Sequence, residues 1–159
     1  MTLSSQFVAG LQQVVGQTHR QIVLTENQRT LRCDVDAATP LAATVYRLSV
    51  ETPELAAVDT RWLESASADL ARRVNYLLEP VAPIEVDELG SVVQMRSNPP
   101  RKHEEGRIYY ELLVSRGGSI SLSRYEKRPG AVRTKIPAVL THEVLGRLTD
   151  DFCQTIQAG

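Results

Sequence analysis

Cysteine is nearly absent from this chain and aromatic side chains are scarce: there are two cysteines, Cys33 and Cys153, and aromatics make up 5% of residues. Two cysteines so far apart read as buried free thiols rather than as a disulfide framework, and they predict a reducing, cytoplasmic setting. The low aromatic content leaves little from which to build a stacking platform for nucleobases. No apolar run approaches the roughly 20 residues that cross a bilayer, and Met1–Phe7 lacks a basic segment ahead of an apolar one. Neither a membrane partner nor a secretory leader is therefore expected. There is also no internal repeat, no low-complexity tract, and no lysine before Lys102.

The motifs of common chemistry are missing too. His19, His103 and His142 fall in three separate segments, and neither cysteine has a second one at ligand spacing. His142-Glu143 would open a zinc-protease helix only with another histidine one turn on, where Gly146 stands, because two imidazoles must converge on one ion. Asp34 with Asp36, and Glu85 with Asp87, could converge on a hard cation. The same period-two spacing marks the polar side of an alternating strand, which is the reading adopted. No G-x-S-x-G elbow occurs, and Gly117-Gly118 has neither the lysine nor the spacing of a phosphate loop. The alternating strand–helix order that builds a dinucleotide site is absent as well. No catalytic, cofactor-binding or metal-binding residue is assigned on these grounds, and a non-catalytic role is favoured.

What remains is an ordinary globular composition, 42% hydrophobic and 23% charged over 159 residues. That is enough chain to enclose a core, and residues 1–159 read as a single α+β domain. The net charge of −1 conceals a split. From Asp34 to Glu88 eleven acidic residues face four arginines, a net of −7; from Arg96 to Lys135 ten basic residues face four glutamates, a net of +6. The two halves can pair their charges across one surface, or they can present a basic face to a polyanion.

Phe7, Leu11, Val14, Val15 and Thr18 recur at helical spacing and predict a helix over residues 5–19, weakened by Gly10 and Gly16. Leu31, Cys33 and Val35 alternate with polar residues, as do Tyr46, Leu48 and Val50, giving two strands joined near Thr39–Pro40. Thr52-Pro53-Glu54 has the chemistry of a helix start, and Leu63, Ala66, Leu70, Val74 and Leu77 form one face of a long helix ending before Pro80. A break near Val58–Asp59 is compatible with this pattern. Ile84 and Val86 read as the inward face of a strand that turns at Glu88-Leu89-Gly90 into Val92–Arg96. Ile108 to Val114 is apolar on both faces, which suits the interior of a sheet. It turns through Gly117-Gly118, residues able to take positive φ, into Ile120 and Leu122. A short strand over Val132–Ile136 follows. Thr141 then caps a closing helix with the stripe Val144, Leu145, Leu148, Phe152 and Ile156. The expected fold is a mainly antiparallel sheet of five to seven strands with three flanking helices, in the order α-β-β-α-β-β-β-β-(β)-α.

In element order this arrangement resembles the small α+β chaperones of bacterial secretion systems, a resemblance that implies binding of partner chains rather than turnover. The favoured expectation is contact with another protein, or with a second copy in a homodimer, for which an exposed sheet edge is one route. A second reading is a polyanion or nucleic-acid patch formed by Arg96, Arg101, Lys102, Arg107, Arg124, Lys127, Arg128, Arg133 and Lys135, with Tyr109 and Tyr125 interleaved. A third is a small-molecule or enzymatic pocket between sheet and helices.

Overall fold

The structure is a computed structural model that describes residues 2–54, 58–87, 92–97, 101–103 and 106–158, without the side chains of residues 87, 101–103 and 158. Helix α1 runs Leu3–Gln13, with the Thr2 hydroxyl accepting from the Ser5 amide, and it buries Leu3, Phe7 and Leu11. It stops short of the expected residue 19. Gly16 adopts φ +82°, and its amide donates to the Ala38 carbonyl at 3.0 Å, which turns the chain out of the helix. Thr18 therefore opens a strand, β1 (Thr18–Glu26), that the helical periodicity did not predict.

β1 joins β2 (Arg29–Ala38) through Asn27 and Gln28, both at positive φ, as a two-residue hairpin turn requires. β2 joins β3 (Ala42–Glu51) where expected, through a turn held by Thr39, whose hydroxyl accepts from the Ala42 amide at 3.1 Å. The pairing slips between Asp34↔Arg47 and Val35↔Val45, leaving Tyr46 as the extra residue of a bulge. Both Val45 and Leu48 consequently enter the core, whereas simple alternation placed Val45 outside.

The helix expected at Thr52 begins later. Thr52 spends its hydroxyl on the Glu54 amide, and the carboxylate that caps α2 (Thr60–Arg73) is Asp59, which accepts from the Trp62 amide at 2.9 Å. The helix also ends early. Val74 and Leu77 remain in the core, but they sit on the irregular segment that leads to β4 (Val81–Asp87).

β4 pairs with β5 (Val92–Ser97), and the turn expected at Glu88–Gly90 lies outside the described residues. The short β6 (Arg101–His103) pairs with β7 (Gly106–Ser115), which makes the expected glycine hairpin with β8 (Ser119–Lys127). β9 (Thr134–Ile136) and β10 (Ala138–Thr141) precede α3 (His142–Ala158), whose Val144 amide bonds to the Thr141 hydroxyl.

All pairings are antiparallel, and the main path of the sheet is β1-β2-β3-β8-β7-β5-β4. The join between its two halves is short: Leu48, Ser49 and Val50 against Leu122, Ser121 and Ile120. Beyond Leu122 the strands part, and the hairpin-like segment 134–141 fills the fork, β9 on β8 and β10 on β3. The three helices cover one face. α3 lies centrally with Leu145, Leu148, Phe152 and Ile156 buried, touching α1, α2, β3 and β10. Gly146 is where α1 crosses closely, since a Cβ there would come within 3.0 Å of Val8 Cγ2.

Candidate functional site

Strand parity sorts the basic residues of the second half. On β7 and β8, Tyr110, Leu112, Val114, Ile120 and Leu122 belong to the core beneath the helices. Residues one step out of phase point to the opposite, outer face. Register then arranges that face in rows: Lys102↔Arg107↔Lys127, next Tyr109↔Tyr125↔Lys135, next Arg96↔Glu111↔Ser123.

Within this grid the Arg96 guanidinium lies 4.3 Å above the Tyr109 ring, Tyr109 and Tyr125 stack at 6.1 Å, and Arg133 lies 3.8 Å above Tyr125. Arg133 also donates to Glu111 Oε2 at 2.9 Å, and the Gln94 amide donates to the other oxygen. The Glu111 side chain is only 2% exposed, so a charge on the outer face is enclosed by its own partners. Burial would disfavour the Arg133 cation, but the Tyr109 hydroxyl and the Glu111 carboxylate outweigh it and raise its pKa further. The Arg96 Nε is buried without a hydrogen-bond partner among the described residues.

Not every expected residue joins the cluster. Arg124 shares the parity of Leu122 and points the other way, with its guanidinium 4.0 Å above the Tyr110 ring and bonded to Glu79 at 3.0 Å. Glu79 also accepts from the Ser97 hydroxyl, which accepts in turn from the Tyr110 amide. Arg124 is thus a buried structural cation and is removed from the patch. Arg128 pairs with Glu126 at 3.0 Å, and Lys127 Nζ bonds the carbonyls of Arg128 and Ala131, closing the loop before β9. Arg101 and Lys102 keep their register positions on β6, but their side chains lie outside the described residues. The cluster that forms is Arg96, Arg107, Arg133 and Lys135 around Tyr109 and Tyr125, with Lys127 at its margin. Glu111 and Gln94, which hold it, went unnoticed in the sequence.

The second feature is the margin of the sheet. Among the described residues nothing pairs with the free edge of β4. Ile84 is 48% exposed and Val86 38%, although alternation had placed both inward. Leu78, just before the strand, is 96% exposed and held at φ +65°, a conformation unusual for a bulky residue. The edge is partly blunted by Pro83 and by a register shift between Pro83 and Glu85.

Elsewhere the chemistry is quiet. Burial pushes the thiols of Cys33 and Cys153 above their ordinary values, which keeps them protonated, and both are free. Among the described residues no group of histidine, cysteine and carboxylate side chains could hold a metal ion, and no helix is long and apolar enough to cross a membrane. A hollow of about 180 Å³ between α1, the β1–β2 turn and α3 is lined by residues including Glu26, Arg29, Asp150 and Cys153. No family model, no curated protein and no solved structure matches the chain.

Proposed function

We propose that this chain is a non-catalytic module that binds another protein chain, taking an extended segment of alternating apolar and basic residues along the margin of β4. The observation that carries this reading is the coincidence of an unpaired strand edge with exposed Leu78, Ile84 and Val86. Apolar side chains beside open backbone donors and acceptors are what strand addition uses: ladder bonds supply affinity and alternate side chains supply selection. Pro83 and the bulge leave Ile84 to Asp87 to pair, so the apolar contacts have to contribute most. Exposed Glu85 favours basic over acidic residues in the incoming segment.

A short peptide alternating valine and lysine, titrated against the protein by amide NMR, tests this. It is expected to shift signals of β4 with a Kd of about 1 mM or tighter, worth about 4 kcal/mol. A valine–glutamate peptide and an N-methylated valine–lysine peptide are expected to bind at least tenfold more weakly. Substituting Ile84→Asn with Val86→Asn, at exposed positions, should remove the shifts without unfolding the chain. Absence of any β4 shift with all three peptides at millimolar concentration overturns the reading. A dimer in sedimentation equilibrium that the double substitution abolishes supports protein contact and makes a second copy the occupant.

A further inference from the structure

The geometry points to a second binding site on the outer face of β5, β7, β8 and β9, one that takes the phosphate backbone of a nucleic acid by charge, without reading its bases. Arg96, Arg107, Arg133 and Lys135 gather there around Glu111, the carboxylate that they enclose. Arg107 is exposed on this face, while its register partner Lys127 turns its ammonium to the carbonyls of Arg128 and Ala131. Lys102 occupies the next register position in the same row. Rows of one strand face recur about every 7 Å, twice the strand rise, so the cations form a track from Arg107 toward Arg96 rather than a point site.

Three features make the ligand a phosphodiester chain. The guanidiniums of Arg96 and Arg133 are held flat on tyrosine rings, which fixes planar donors suited to phosphate oxygens before the ligand arrives. Those same contacts occupy the ring faces, and Tyr109 is only 5% exposed, so bases have nothing to stack on and sequence is not read. An acidic peptide would find no open edge on β7 or β8, which are paired on both sides. A nucleic acid needs none, since it gains affinity from counterions released at its phosphates.

The test is fluorescence anisotropy with a labelled oligonucleotide of mixed sequence, single-stranded or duplex, across a salt series. Neutralising three to four phosphates predicts a slope of about −2 to −3 in log K against log salt for a single strand. Affinity should then fall about twenty- to fifty-fold as salt rises from about 50 to about 200 mM. Substituting Arg107→Gln with Lys135→Gln, both exposed, should make the slope shallower by about 1. Removing the same charge from the helix-covered side, with Arg61→Gln and Arg72→Gln, should leave affinity and slope unchanged. No binding at low salt overturns the proposal, as does equal loss in both double variants. So does equal or tighter binding of a polyglutamate of matched charge, which would assign the face to acidic peptides.

Discussion

Glu79 and Arg124 form the most buried ion pair described in the molecule, with side chains 16% and 10% exposed. Taking two charges out of water is costly, and their attraction offsets that only while the pair and its extra hydrogen bonds are complete. Here the carboxylate side is well supplied: Ser97 bonds the second Glu79 oxygen, and the guanidinium lies on Tyr110, although its buried Nη1 has no hydrogen-bond partner among the described residues. Glu79→Gln would leave Arg124 charged and uncompensated, an error that costs about 3–5 kcal/mol. Urea unfolding is the measurement, and a midpoint unchanged from the parent would show that water already neutralises this site. The same substitution should leave the outer cluster as it is, because Arg133 and Arg124 lie on opposite faces. That division was legible in principle. Ile120 and Leu122 already read as a buried face, and one more step of the same period reaches Arg124. Grouping cations by their segment instead of their parity joined residues that the sheet separates. Glu111 was harder to see, since nothing in the sequence marks one glutamate among apolar neighbours as the anchor of an arginine fifteen positions beyond Gly118.

At the scale of elements, whichever residue supplies the cap decides where a helix starts. Thr52-Pro53-Glu54 has the chemistry of a start, yet Asp59 holds a free amide in the first turn of α2, and Thr52 closes a turn of its own. Asp59→Ala is therefore expected to destabilise the protein by about 1 kcal/mol, within the usual range for a lost N-cap. Thr52→Ala should cost less, and it should leave amide protection in α2 unchanged. Hydrogen exchange of the Trp62 amide distinguishes the two: faster exchange in the Thr52 variant alone would restore the earlier start. The elements that periodicity captured, α3 and the β7–β8 hairpin, are those whose local signals agree with their packing. β1 escaped because Thr18 fitted the apolar spacing of α1, and because its turn uses Asn27-Gln28 at positive φ without the glycine that usually announces one. β4 is legible in the sequence, but its burial is not. Alternation indicates which residues share a face, and it cannot say whether a helix covers that face at the sheet's last strand.

Across the molecule, the acidic and basic halves meet through few ion pairs among the described residues. Glu79 to Arg124 joins them, whereas Arg72 and Arg73 pair with Asp69 and Arg133 pairs with Glu111, each within its own half. The two halves of the sheet, β1-β2-β3 and β8-β7-β5-β4, are a different division, and the strand join between them at Leu48–Val50 is short. α3 is the element that spans them: Phe152 is fully buried, and the helix contacts α1 on one side and α2 on the other. Its polar links run the same way, Thr155 to Asp69 at 2.8 Å and Asp151 to Tyr76 at 2.6 Å. Phe152→Ala should accordingly cost about 3–5 kcal/mol, as large-to-small changes in a core do, and destabilise both halves together. The single tryptophan, Trp62 on α2, reports the half of the sheet that holds β4, β5 and β7, against which α2 packs, while far-UV circular dichroism reports the entire sheet. The two unfolding transitions should coincide in the parent and move together in the variant, the sign of one cooperative unit. If the Trp62 transition stays while the dichroism transition moves or splits, the halves fold as separate units and α3 is not the bridge between them.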